Sequence, residues 1–502
     1  MEGRWSQLMT RRARARLAAV SVSSVLVAAA CGHFTPDRTA NRSVAPAPAI
    51  PWTPPPAGVP PQQAPTKLEV PEEYTKPGTT LSLAQLVDVA LRNNPRTRQA
   101  WHFARAAAEE VGVQRSEFYP VVELDGSITR QKTSAVGGQF TYLQTTYGPA
   151  ASLNWLLFDF GGGRAADVAE AQAALYAADW VHNAAIQDVV LQVAQSYYAY
   201  LNSKSLVVAR QSNLEEARRS LESAEERHRA GVATIADVLQ SRTAASQAQL
   251  DLQDAQGQVL VIRGALATAV GVPATIPVDV GELPEDLPLD RVQQSVDELI
   301  ARASADRPEL AARRFEAEAA RQRVRSALSD GLPKLFAVGS LNRTYYYNAS
   351  GAPYSDNYSG SILLTIPVFT GLHTVYSTRK AKEEAEEARA TADLTEDQVI
   401  LDVWASYYAV QTAAQRVRTS RDLLASASQS ADVAEGRYKE GVGSILDLLT
   451  AQAALSNARA QEVQARSLWF LAMAQLAHAT GALLPRAAEI TNPAGRVSGG
   501  TR

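Results

Sequence analysis

The 502-residue chain contains a single cysteine, Cys31. Disulfides within the chain, thiolate zinc sites and thioredoxin-like redox chemistry are excluded together. Histidine is also scarce. The six histidines (His33, His102, His182, His228, His373 and His478) never stand three or four residues apart, so no helical metal-ligand pair exists. A formal net charge of −3, with 20% charged residues, gives no electrostatic grip on nucleic acid. No Ser/His/Asp constellation presents itself. The run Gly161-Gly162-Gly163 lacks the Gly-Lys-Ser/Thr ending of a phosphate loop and reads as a junction between a strand and a helix. These absences point away from an enzyme and call for no cofactor. Proline is missing from 164–230 and from 373–440, and Gly436 is the only glycine in either stretch.

Those two stretches are rich in Ala, Glu, Arg and Gln. At about 1.5 Å per residue they predict helices on the order of 100 Å long. Leu214, Ala217, Leu221, Ala224 and His228 step by three and four residues, and Leu424, Ala427, Ala431, Ala434 and Tyr438 step identically. This is the spacing of a coiled-coil seam. A turn at Gly231 or Gly441 then reverses the chain, because glycine tolerates the left-handed conformation that ends helices.

The two seams belong to an internal duplication. RHRAGVATIADVL at 227–239 aligns with RYKEGVGSILDLL at 437–449, and VVLQVAQSYYA at 189–199 with VILDVWASYYA at 399–409. LVDVALRNNPRTRQA at 86–100 corresponds to LIARASADRPELAAR at 299–313. The expected organisation is a first repeat over 81–272, a Pro-rich linker over 273–290, a second repeat over 291–485 and a flexible tail over 486–502. Ahead of the repeats, 1–30 reads as a signal peptide. Arg11, Arg12, Arg14 and Arg16 precede LAAVSVSSVLVAAA, an apolar run too short for the roughly 20 residues of a spanning helix. Residues 31–80 form an anchor-and-linker segment rich in proline. Cleavage before Cys31 would expose that residue for a lipid anchor, and ordinary cleavage after Ala30 is the alternative. In either case the mature chain leaves the cytoplasm.

Within each repeat, two runs alternate in polarity. Val122, Leu124 and Ile128 oppose Glu123, Asp125, Ser127 and Thr129; Tyr147, Ala151, Leu153, Trp155 and Leu157 oppose Thr146, Gly148, Ser152 and Asn154. In the second repeat Tyr358, Ile362, Leu364, Ile366 and Val368 oppose Ser359, Ser361 and Thr365, while 334–344 is less regular. Alternation alone suits a sheet with one buried face. The runs nevertheless exceed the 9–11 residues of a tilted transmembrane strand and carry aromatics near their ends. Four strands cannot close a barrel, and lipid tolerates no open edge, so membrane strands would require several chains to share one barrel.

The order of these parts, repeated twice, resembles the TolC-like outer membrane factors: a strand hairpin leading into LFDFGGGRA (157–165) or VFTGLH (368–373), a long helix with SYYA, and the R-x-x-x-G-x-x-x-I-x-D tip. The resemblance spans about residues 81–485. It implies a mainly α fold with membrane β, namely a long α-helical coiled-coil barrel joined to a 12-stranded transmembrane β-barrel shared by a homotrimer. The implied role is an exit duct of a tripartite efflux or type I secretion system in the outer membrane of a Gram-negative bacterium. Its partners would be a periplasmic adaptor, an inner-membrane transporter of RND or ABC type, and outer membrane lipids. By the same resemblance Asp447 belongs to an acidic ring at a periplasmic gate, Tyr438 and Asp237 form a latch, and Gly231, Val232, Gly441 and Val442 are adaptor contacts. The family's second ring aspartate falls at Thr450, and a second latch at Gly443 and Ala236, so both are missing here. Without the resemblance, the helices alone would also suit a non-pore periplasmic scaffold or adaptor.

Overall fold

The computed structural model describes residues 79–135, 137, 140–284, 286–290, 294–347 and 351–483. The expected signal segment, Cys31, the linker as far as residue 78 and the expected tail lie outside the described residues. After strand β1 (Thr80–Leu81), the first repeat runs α1 (Leu83–Asn93), α2 (Pro95–Ser116), β2 (Val121–Ala135), β3 (Phe140–Asp159), α3 (Gly163–Arg229) and α4 (Ile235–Val270). Strand β4 (Asp279–Val280) pairs in parallel with β1. The second repeat follows in the same order: α5 (Val296–Asp306), α6 (Pro308–Ser329), β5 (Lys334–Tyr346), β6 (Tyr354–Thr365), α7 (His373–Lys439) and α8 (Ile445–Ala479).

The first helix of each repeat breaks at a proline. Asn94 and Arg307 hold extended backbone ahead of Pro95 and Pro308, the first residues of α2 and α6. The ring of a proline disfavours a helical residue before it, yet fits the first helical turn, where its missing N–H costs nothing.

Helices α3 and α7 have 67 residues each, or ~100 Å at 1.5 Å per residue. Helix α3 packs on α2, α4, α6 and α8, so its buried residues are not confined to one stripe. Val189, Val193 and Leu201 join Leu86, Leu266, Val270 and Val280 in one core. In the second repeat Val399, Val403, Val410 and Val417 gather with Trp469 of α8. Toward the tips the cores thin to Ala427, Ala431, Ala451, Leu455 and Ala458. Small side chains let the helix axes approach closely there. Of the expected seam residues, Leu214, Ala217, Ala224, Ala427, Ala431 and Tyr438 are buried and Leu221, Leu424 and Ala434 half-buried, whereas His228 is exposed. The two hairpins lie side by side along α3 and α8. Tyr198 stacks on Phe470 at 4.9 Å, Arg459 pairs with Glu216 at 2.9 Å, and Gln452 donates to Ser220 at 2.9 Å.

The four long strands form one antiparallel sheet in the order β2-β3-β5-β6, joining the hairpins of both repeats. The register resolves the irregular run at 334–344. Leu335, Ala337, Gly339 and Leu341 stand opposite Leu364, Ile362, Gly360 and Tyr358, which leaves Phe336 and Val338 on the other face. In the first repeat Val122, Leu124 and Ile128 stand opposite Leu153, Ala151 and Tyr147. The register shifts between Leu156 and Phe158, so Phe158, not the expected Leu157, aligns with Leu335 on the apolar face. That face lies open: Leu124 is 84% and Ile128 82% exposed. Arg343 and Asp356 interrupt it as a bidentate pair at 2.6 and 2.8 Å beside Tyr345 and Tyr354.

Where β3 becomes α3, the Gly161–Gly163 run is held by hydrogen bonds. Asp159 accepts from the backbone N–H of Gly161 and of Arg164, and the buried Arg164 guanidinium donates to Leu156 O and Glu117 O. Trp155 Nε1 ties the same corner to Phe118 O at 2.9 Å. No helix among the described residues is long and apolar enough to cross a membrane, which says nothing of strands.

The close alanine packing of α3 generates a prediction. Ala224 is fully buried, so Ala224→Leu should destabilise the first hairpin by about 1–3 kcal/mol through overpacking. A lowered midpoint of helical circular dichroism on heating is the expected reading, and an unchanged midpoint would contradict the packing described.

Candidate functional site at the helical tips

Both hairpins turn through the same hydrogen-bonded cap. Gly231 has φ +75° and Gly441 φ +73°. The N–H of Val232 donates to Arg227 O and that of Gly231 to His228 O, both at 2.9 Å. Val442 and Gly441 repeat the pattern onto Arg437 O and Tyr438 O at 3.0 and 3.1 Å. This is the Schellman arrangement, which satisfies carbonyls orphaned at a helix end and needs a left-handed residue. Val232 and Val442 are left projecting into solvent.

The returning helices explain the two aspartates. Thr234 caps α4: its hydroxyl accepts from Asp237 N, and the Asp237 carboxylate accepts from Thr234 N at 2.8 Å. Ser444 and Asp447 form the same reciprocal pair at the start of α8. Each carboxylate also faces the partial positive charge of a helix N-terminus. A sequence signal for this role exists in Thr234-x-x-Asp237 and Ser444-x-x-Asp447, with the capping-box spacing.

Tyr438 is 5% exposed and packs with Ile445 and Leu448. Its hydroxyl has no hydrogen-bond partner among the described residues. No hydrogen bond joins Tyr438 to Asp237 within the chain, and the Asp237 carboxylate is turned back onto its own helix start. The contact found instead is Arg227. Its guanidinium lies over the Tyr438 ring, 4.9 Å from the centroid, and Nη1 donates to Lys439 O at 3.1 Å. Burial pushes the Tyr438 phenol above its ordinary value; the Arg227 charge opposes this, and the charge of Asp237 adds to it. Tyr438 and Asp237 thus sense each other electrostatically without a bond. The repeat marked Arg227 as part of the tip motif, but its contact with Tyr438 escaped the sequence reading, since that contact joins residues about 210 positions apart.

One other polar cluster stands out among the described residues. Ligand atoms of Asp188, Glu309 and His478 lie within 4.8 Å of one another. His478 Nε2 is 3.0 Å from Asp188, and Glu309 is paired with the Arg307 guanidinium at 3.0 Å. The guanidinium supplies the positive charge that a cation would bring, so the cluster ties α3, α6 and α8 together.

The tip geometry separates the phenol ring from its hydroxyl. Tyr438→Phe should leave amide hydrogen exchange at 439–443 unchanged, and Arg227→Ala should speed it about tenfold, the effect expected for losing a charged hydrogen bond. Asp447→Ala should destabilise the start of α8 by about 0.3–1 kcal/mol, through loss of the carboxylate's half of the capping box and of its charge at the helix N-terminus. Faster exchange in Tyr438→Phe would show that the hydroxyl is bonded after all.

Residues 86–272 and 299–482 match the outer membrane efflux protein family. The chain is 28% identical over 416 residues to the protein CyaE of Bordetella pertussis, covering 82% of this chain and 84% of that protein. It is 23% identical over 420 residues to the outer membrane protein TolC of Escherichia coli, at 80% and 82% coverage. Among solved structures, the outer membrane protein VceC of Vibrio cholerae shares the fold with a TM-score of 0.69 at 22% identity, over 80% of this chain and 96% of that one. The outer-membrane channel OprN does so with a TM-score of 0.71 at 20% identity, over 80% and 91%. The match extends across both repeats, and the chain belongs to the outer membrane efflux protein family, the exit ducts of efflux and secretion systems in Gram-negative outer membranes.

Proposed function

We propose that three copies of the chain assemble into one continuous passive duct, each giving four strands to a shared twelve-stranded barrel and four long helices to its periplasmic extension. The observation that carries this reading is the sheet. Its edge strands β2 and β6 have no further partner among the described residues, and its exposed face is apolar along all four strands. In hydrocarbon an unpaired edge is not tolerated, and closure with copies of the same sheet removes every edge. The run from Tyr354 to Leu364, at about 3.3 Å per residue and a tilt of about 40°, rises ~25 Å, the height of the apolar band of such barrels. Glu123, Asp125, Ser127, Ser340 and Ser359 then face a watery lumen. Arg343, Asp356 and the neighbouring tyrosines lie toward one end of the band, where paired charge and aromatic rings suit lipid headgroups.

At the far end, the tips close the duct. Asp447 is assigned to an acidic ring and Asp237 to electrostatic support of the Tyr438 contact. The projecting Val232 and Val442, carried on the glycine turns, are the surface for a periplasmic adaptor that couples the duct to an RND- or ABC-type transporter in the inner membrane. Cys31 carries the lipid anchor. The broad apolar face of the sheet disfavours a purely periplasmic scaffold, which would bury it against something else.

Two experiments test this. Purified protein should run as a heat-labile trimer and conduct ions in planar bilayers, and metabolic labelling with palmitate should be lost in Cys31→Ser; a monomer without conductance would refute the duct. Val442→Asp should abolish export of a fluorescent dye or of a secreted protein in cells while the conductance of purified trimers stays at the wild-type value. Normal export by that variant would remove the tip from adaptor docking.

A further inference from the structure

The duplication holds a constant offset of 210 residues from the start of α3 to the end of the second hairpin arm: Tyr198 matches Tyr408, Arg227 matches Arg437, and Gly271 matches Gly481. Within one protomer the seam between the hairpins runs along α3 and α8 and finishes, at the tips, between the ends of α3 and α7; two rungs of it are well separated along the helices. Near its middle Tyr198 stacks on Phe470. At the tips Arg227 covers Tyr438 and donates to Lys439 O.

The repeat assigns a counterpart to every member of these rungs: on α7 and α4 for the middle one, and at the ends of α7 and α3 for the one at the tips. Tyr408 corresponds to Tyr198 and Leu260 to Phe470; Arg437 corresponds to Arg227, with His228 and Arg229 in the places of Tyr438 and Lys439. All of these counterparts are exposed, Tyr408 at 43% and Leu260 at 60%. Arg437 makes no hydrogen bond or ion pair with its side chain among the described residues. The helices of one chain follow in the order α4, α3, α8, α7. A ring of copies therefore sets the α7 of one against the α4 of the next, in the relation that α3 has to α8.

Resting on the trimeric reading above, we infer that Arg437 closes a second latch between protomers: it donates to the backbone carbonyl of the partner's Arg229 and lies over the ring of the partner's His228. The partner's Leu260 receives Tyr408 farther up the same seam. The two latches differ in strength. An imidazole presents a smaller and less electron-rich face to a guanidinium than a phenol does, and becomes repulsive when protonated. In each protomer His228 Nδ1 is committed to Ala233 O at 2.9 Å, which fixes the orientation of the ring. Three stronger latches within chains thus alternate with three weaker ones between chains, and opening begins at the seams between copies.

Two measurements decide it. In purified trimers, oxidation of the Arg437→Cys/Arg229→Cys pair should give covalent dimers and trimers on denaturing gels, and neither single substitution should. In bilayers Arg437→Ala and Arg227→Ala should each raise the conductance of the resting channel. His228→Tyr should lower it, and adding Arg437→Ala should cancel that lowering. Trimers that fail to cross-link, or an Arg437→Ala trimer with wild-type conductance beside an opened Arg227→Ala trimer, would overturn the latch and leave the duct standing. A protein that is monomeric and non-conducting would overturn both.

Discussion

A 67-residue helix has no core of its own. Hydrogen bonds along its axis keep it helical, but in water most of its stability must come from burying side chains against neighbours. Every other feature follows from how α3 and α7 meet that constraint. Near the middle they sit in valine- and leucine-rich cores closed by the short helices and by the β1–β4 pair. Toward the tips only another long helix is available, and alanine replaces the larger residues. The interface there gains little area per residue, so it must be close-fitting to hold.

The junction between sheet and helices meets a different demand. A strand must end and a helix begin within a few residues, at the sheet end where the register of β3 against β5 already shifts. Arg164 resolves this by returning its guanidinium to the carbonyls freed around Leu156 and Glu117, and Asp159 caps the first turn of α3. The second repeat makes the same transition with Leu372 at φ +66° ahead of α7. For an L-residue that conformation costs roughly 1–2 kcal/mol. The duplicated parts have diverged in chemistry while keeping one backbone course.

The tips show the same divergence. Glycine turns and capping boxes keep one hydrogen-bond arrangement in the two hairpins, since a left-handed turn and an orphaned helix start allow few solutions. The side chains around them differ: tyrosine and buried isoleucine in one, exposed histidine and isoleucine in the other. One backbone turn, used twice, thereby carries contacts of two kinds.

Much of this was legible in the sequence, and the reason is period. Alternating steps of three and four fixed the helices, alternation in twos fixed the strands, and the repeat of Arg, Gly, Ile and Asp placed both tips. Membership of the family was readable from the order of those parts. Other features escaped because they depend on residues distant in the chain. The pairing of β3 with β5, which sorts Leu335 from Phe336, requires two repeats to meet. The commitment of Asp237 to Thr234 was local and readable, yet the partner of Tyr438 proved to be Arg227 from the other hairpin. The sequence by itself determined the elements, their order and the turns, because those follow from local periodicity and backbone freedom. Only the tertiary structure decided which faces are spent inside one chain and which stand open, because that choice belongs to the packing of helices and strands far apart in sequence.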